Sequence, residues 1–219
     1  MRLQSAIFDM DGTLLDSMPT WRELGPTFLK EAGISATPEQ DRMLHILADC
    51  DVIPYLREVC GLPWSQREII DQIIQRMETF YSSQVRPKPG LEKFLSILKM
   101  EGVWMYVATA THRRLTEKAL KTAGIDHYFR GIVTSADAGN HKSESADIYE
   151  MAMRRLQSNK RDTVIFVDSL TAIRTAKAAG FRVAGVYNPA AEADQAAIQA
   201  EADYYLRSFE EMFDATALG

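Results

Sequence analysis

After residue 86 the sequence alternates between two textures. Short apolar runs, GVWMYVAT (102–109), GIVTS (131–135), TVIFVDS (163–169), RVAGVY (182–187) and DYYL (203–206), are separated by helix-like stretches at 90–101, 112–123, 144–157, 170–180, 190–201 and 208–214. Unbroken apolar runs, in place of strict polar–apolar alternation, predict strands buried on both faces. Strand–helix–strand order then predicts a parallel sheet with helices on either side. RLQSAIFDM, near the start, reads as one more such strand. The expected fold is α/β, a doubly wound parallel sheet.

Residues 17–85 interrupt that pattern. They hold no convincing strand, only helical spacing. TPEQ (37–40) and SQRE (65–68) read as capping boxes, the first with Pro38 where a first helical turn tolerates it. Apolar residues at 69, 70, 73, 74, 77, 80 and 81 recur at helical intervals, and Gly33 and Gly61 stand where the preceding helices would end. RPKPG (86–90) is a stiff, turn-prone return to the sheet. The expected domains are therefore 1–16 with 86–219, an α/β core, and 17–85, an inserted all-helical block. An insert just after the first strand lies beyond its carboxyl end, where open α/β sheets bind ligands, so the block is expected to act as a lid.

Composition narrows the class of partner. A chain of 219 residues, 46% hydrophobic and 25% charged, is ordinary for a water-soluble protein. A net charge of -5 argues against a nucleic-acid or anionic-membrane partner. No apolar run approaches the length of a membrane span, and MRLQSAIF lacks the apolar core of a secretory leader. Two cysteines, Cys50 and Cys60, are too few and too loosely spaced for a disulfide scaffold or a zinc site, so a cytoplasmic location is expected. The four histidines, His45, His112, His127 and His141, show no ligand spacing. A monomer is the default expectation.

The chemistry concentrates in AIFDMDGTLLDS (6–17). Two carboxylates one residue apart, at the mouth of an apolar strand, repel unless both are solvated or a cation sits between them. A carboxylate can attack phosphorus to form an aspartyl-phosphate. A second carboxylate nearby can supply the proton that the leaving oxygen needs. Magnesium would relieve the repulsion and screen an incoming phosphate, since it accepts one or two carboxylates and completes its octahedron with water and phosphate.

DMDGTLLDS resembles the first motif, D-x-D-G-T/V, of the haloacid dehalogenase (HAD) superfamily of phosphohydrolases, and the resemblance extends along nearly the whole chain. VWMYVATA resembles the second motif, an apolar strand ending in Thr109. Lys142 in GNHKSESADIY resembles the third, a lysine opening a helix. TVIFVDS resembles the fourth, a strand ending in Asp168. The helical insert is similar to the type-one (C1) cap of the branch that includes phosphoglycolate phosphatase and beta-phosphoglucomutase. The resemblance implies a Rossmann-like HAD core and assigns roles by position. Asp9 would be the nucleophile, and Asp11 the general acid and later the base that activates water. Magnesium would be held by Asp9, the backbone carbonyl of Asp11, and Asp168. Thr109 and the N–H of Ala110 would hold phosphoryl oxygens, and Lys142 would neutralise charge between the phosphate and Asp9. The implied substrate is a small phosphorylated metabolite.

Two places depart from the family pattern. The usual third motif, Lys-Pro-x-Pro-Asp, reads KSESAD here, with no proline and with Asp147 five residues after Lys142. Val167 and Ala172 stand where many relatives carry a further acid, which predicts weaker magnesium binding or reliance on water and substrate for the remaining ligands. Among related chemistries, a sugar phosphomutase is the first alternative, but such relatives carry a histidine at the position that, counted from the first motif, is Trp21 here. Dehalogenases lack the second aspartate, so Asp11 speaks against that reaction. Phosphonate-cleaving relatives need a cap lysine, and the insert holds only Lys30. A catalytically silent binding protein on the same scaffold is the alternative of another class. Its support is the irregular third motif and Val167.

Overall fold

The computed structural model describes residues 3–44, 49–139 and 145–214. In chain order they form β1 (Ser5–Phe8), α1 (Met18–Glu31), α2 (Pro38–Leu44), α3 (Asp49–Pro54), α4 (Gln66–Ser83), α5 (Leu91–Met100), β2 (Trp104–Thr109) and α6 (Arg113–Thr122). There follow β3 (Ile132–Thr134), α7 (Ser135–Ala138), α8 (Asp147–Arg155), β4 (Thr163–Val167), α9 (Leu170–Ala178), β5 (Arg182–Val186), α10 (Gln195–Glu201) and β6 (Tyr204–Leu206).

The six strands make one parallel sheet in the order β3-β2-β1-β4-β5-β6. From β1 the chain builds outward through β2 and β3, then crosses back to add β4, β5 and β6 on the opposite side. Phe8 is thereby in register with Val107 on one flank and with Phe166 on the other. The direction of winding reverses between β1 and β4, and ligand crevices of doubly wound sheets open at the carboxyl ends of such a pair.

Both faces are covered, which explains the apolar runs. On one face Ile7, Ala108, Ile165, Val167 and Val183 share a buried cluster with Ile148, Tyr149 and Ala152 of α8 and Ala172, Ile173 and Ala176 of α9. Their neighbours along the strands point the other way. Phe8 and Phe166 stack with centroids 4.4 Å apart, and Phe94 of α5 meets Phe166 edge-on at 5.7 Å. Phe209 closes this second face against Phe94 at 5.1 Å.

The chain divides into two compact units, Met1–Asp16 with Val85–Gly219, and Ser17–Gln84. Among its described residues the second unit holds helices joined by loops and no strand. Ser65 and Glu68 form a complete capping box at the start of α4, and Thr37 and Gln40 exchange the same pair of bonds at α2. After Gly33, the Ile34 N–H bonds back to the Leu29 carbonyl at 2.8 Å, which closes α1. Ile69, Met77 and Tyr81 are the buried stripe of α4, whereas Ile70 and Ile74 are 37% and 39% exposed. The apolar periodicity thus marks a wider face than the helix buries. After α3 a π-helical turn spans Tyr55–Val59.

Some expected helices change form. The 190–201 stretch is a 3₁₀ segment over Pro189–Asp194, kinked at Ala191, followed by α10. Asn188 and Pro189 start the chain turning earlier than the apolar spacing indicates. The 208–214 stretch is 3₁₀ over Phe209–Asp214. Its tighter winding lets the Ser208 hydroxyl accept from the Glu210 N–H at 3.1 Å. The short α7 was not legible; it rests on Thr134 and Asp137 capping each other. Lys142, His45 and His141 lie outside the described residues.

Candidate active site

β1 ends at Phe8, and the Asp9 N–H continues the ladder to the Phe166 carbonyl at 2.9 Å. Asp9 therefore emerges at the carboxyl edge of the sheet beside β4, which ends at Val167 and is followed by Asp168. Both carboxylates are buried, Asp9 at 1% and Asp168 at 6% exposure. The Met10 N–H donates to Asp9 Oδ1 at 2.8 Å. The Met10 carbonyl then accepts from the N–H groups of both Leu14 and Leu15, and the Gly12 N–H bonds to the Leu15 carbonyl, folding 10–15 into a tight loop. Gly12, at φ +75°, is the bend in that loop. A Cβ there would overlap Asp168 Oδ2 and lie 2.5 Å from Asn188 Nδ2. Only glycine lets the loop come this close.

Asp168 is gripped at both oxygens. The Thr13 hydroxyl donates to Oδ1 at 3.1 Å and the Asn188 amide donates to Oδ2 at 2.6 Å. Asp11 is held separately: the Thr111 hydroxyl donates to its Oδ2 at 2.7 Å. The Thr111 N–H donates in turn to the hydroxyl of Thr109, the last residue of β2, at 3.1 Å. Ala110 connects the two threonines, so the β2–α6 turn carries Thr109 and Ala110 and braces Asp11 through Thr111. Asp9, Asp11, Thr109, Ala110 and Asp168 thus lie at one end of the sheet, Asp9 through its ladder bond to β4, Asp168 through Thr13, and Asp11 through Thr111 and the turn after β2.

A metal fits this set in one way. Among the described residues no three His, Cys, Asp or Glu side chains cluster as a metal cage. Two buried carboxylates on adjacent strand ends, with a main-chain carbonyl from the intervening loop, nevertheless form the sparse oxygen set that magnesium accepts with water and phosphate. The Asp11 side chain stays with Thr111, so its contribution to a metal would come through the backbone.

Sequence reasoning missed Thr111, Asn188 and Lys88. Thr111 and Asn188 carry no local signal, because their partners lie 100 and 20 residues away. Lys88 sits in RPKPG, which reads only as a turn. Its main-chain N–H bonds to the Leu14 carbonyl at 2.9 Å, and its ammonium donates to the Tyr187 carbonyl at 2.5 Å. Burial lowers the Lys88 pKa, and the carboxylates of Asp168 and Asp16 oppose that shift. His112 is explained without ligand duty: its Nδ1 accepts the Arg114 N–H at the start of α6.

Comparison with known proteins adds to the geometry. A family model described as haloacid dehalogenase-like hydrolase matches residues 6–186. The chain is 25% identical over 185 residues to a phosphorylated carbohydrates phosphatase of Thermotoga maritima, covering 84% of this chain and 85% of that protein. It is 26% identical over 224 residues to hexitol phosphatase B of Escherichia coli, covering 100% and 98%. Among solved structures, a CbbY mutant from Rhodobacter sphaeroides in complex with xylulose-(1,5)bisphosphate shares the fold, with a TM-score of 0.79 at 24% identity over 96% of each chain.

Proposed function

The chain belongs to the haloacid dehalogenase-like hydrolase family and is a phosphohydrolase, and on that premise we propose that it is a magnesium-dependent phosphatase of a small phosphorylated sugar or polyol, working through an aspartyl-phosphate at Asp9. The observation that carries the reading is the placement of two buried carboxylates, Asp9 and Asp168, just past the carboxyl ends of the adjacent strands β1 and β4, with the Asp11 side chain bonded to Thr111. The α/β unit is the proposed catalytic core and the helical unit its cap. The names of the relatives in Thermotoga maritima and Escherichia coli support the substrate class.

In the first step an Asp9 carboxylate oxygen attacks phosphorus, and the bond from phosphorus to the sugar oxygen breaks. Asp11 gives its proton to that leaving oxygen, and the alcohol departs. In the second step Asp11, now a carboxylate, takes a proton from water as the water attacks phosphorus. Inorganic phosphate leaves and Asp9 is restored. Asp9, Asp168 and the Asp11 carbonyl would hold magnesium, which supplies charge compensation for the phosphoryl oxygens. The Thr109 hydroxyl and the Ala110 N–H are proposed to orient those oxygens, and Lys142 to add a compact positive charge.

A mutase is less well supported. Trp21 donates its ring N–H to the Tyr81 hydroxyl at 3.1 Å inside the helical unit, which occupies it structurally. Phosphate release from a panel of sugar and polyol monophosphates tests the reading. The expected result is magnesium-dependent release from at least one of them. Conversion of a sugar phosphate to its isomer without release would overturn it.

A further inference from the structure

Asn188 follows β5 and is 4% exposed. Its amide orientation is fixed at both ends: Oδ1 accepts the Ala190 N–H at 3.0 Å, so Nδ2 is the atom that donates to Asp168. Asn188 is itself anchored. Its carbonyl accepts from Gln195 Nε2 at 3.1 Å and from the Ala191 N–H at 2.9 Å. Gln195 is 9% exposed, and its Oε1 accepts the Tyr205 hydroxyl at 2.8 Å. A hydrogen-bonded line thus runs from β6 through α10 to the carboxylate beyond β4.

This line matters because the end of β4 and the start of α9 bring no second acid to stand beside Asp168. Val167 and Ala172 offer no carboxylate, so the direction of one side chain sets the geometry of that side of the site. A free carboxylate rotates about its last bond. Thr13 on one oxygen and Asn188 on the other hold its plane. A neutral amide does this without cancelling the negative charge that a cation needs, as a lysine in its place would.

We propose that Asn188 is a positioning residue that orients the Asp168 carboxylate for magnesium, with Gln195 and Tyr205 holding Asn188 in turn. The proposal rests on the magnesium-phosphatase reading above. Groups behind a metal ligand fix its orientation, and their loss costs roughly 10–100-fold in metal affinity.

The test is Mg2+ binding to the whole protein by isothermal titration, with kcat and KM for Mg2+ activation alongside. Asn188→Ser keeps a short oxygen for the Ala190 N–H but loses the reach to Asp168; Asn188→Leu loses both. Each should raise the Mg2+ dissociation constant by roughly 10–100-fold, and neither should weaken binding further when combined with Asp168→Asn. Should the Leu variant fail to fold, as judged by circular dichroism, the Ser variant decides alone. Native-like affinity in Asn188→Ser would overturn the proposal, as would an equal loss in the presence and absence of the Asp168 carboxylate. No Mg2+ binding by the native protein would overturn this proposal and the phosphatase reading together. Intact native binding with unchanged variants would overturn this proposal alone.

Discussion

The Thr111 hydroxyl lies 2.7 Å from Asp11 Oδ2 and donates to it, although the two residues are 100 positions apart in the chain. Asp9 and Asp11 are close in sequence, yet the fold separates their duties. Asp9 continues the β1 ladder to Phe166, whereas Asp11 is braced by the turn after β2. A proton donor needs a fixed position more than it needs a particular neighbour. Thr111→Val, which keeps the shape and removes the donor, should lower kcat by about 10–100-fold, a part of the roughly 10²–10⁴-fold that a positioned acid–base group contributes. KM should change little, and Thr111→Ser should restore most of the rate. Steady-state kinetics of the three proteins check this; an unaltered kcat in Thr111→Val would show that Asp11 needs no such brace.

Gly12 carries a different prediction. A methyl group there meets Asp168 Oδ2 and Asn188 Nδ2, and the backbone is left-handed. Gly12→Ala should cost roughly 2–4 kcal/mol, combining left-handed strain with overpacking. Gly102 is the control, because it is also left-handed at φ +79° but has nothing within 4 Å of its added Cβ. Gly102→Ala should cost about 1–2 kcal/mol, the backbone strain alone. Urea unfolding of both variants measures the difference.

Much of this architecture can be read from the chain because it is local. Apolar runs mark strands covered on both faces, and the four-residue grammar of Ser65–Glu68 and Thr37–Gln40 marks helix starts. The bonds that arrange the candidate site are not local. Thr111 is one threonine among many until the sheet brings β1 beside β2. Asn188 reads as a turn residue before a proline until β5 pairs with β4 and carries it next to Asp168. The same limit explains the 190–201 region. Its alanines fit a helix throughout, but Asn188 is committed to Asp168 and Ala190, and the chain starts in 3₁₀ form before α10 begins.

Asp137 gives the account a pH dependence. Its carboxylate accepts the Thr134 N–H at 2.8 Å and pairs with Arg113 at 2.7 Å. The Thr134 backbone bond is the largest cause of a pKa held below the ordinary 3.8, with the Arg113 charge adding to it. A folded pKa below the unfolded one means that the stabilisation is complete above 3.8 and is lost as pH falls through the folded value. Asp137→Asn keeps an oxygen for the Thr134 N–H but removes a solvent-exposed charge, so it should cost about 0.2–1 kcal/mol at neutral pH. Native and variant unfolding midpoints should converge as the solution is acidified below 3.8. A gap that stays constant with pH would show that the charge of Asp137 contributes nothing.

The central claim is that Asp9 forms a covalent bond to phosphorus. Acid quenching during turnover of a sugar phosphate, followed by borohydride reduction and peptide mass analysis, reads it directly, because reduction converts an aspartyl-phosphate to homoserine. The account predicts homoserine at position 9 when magnesium is present, and none after chelation or in Asp9→Asn. Turnover at full rate with position 9 unmodified, or with the label on another residue, would contradict it.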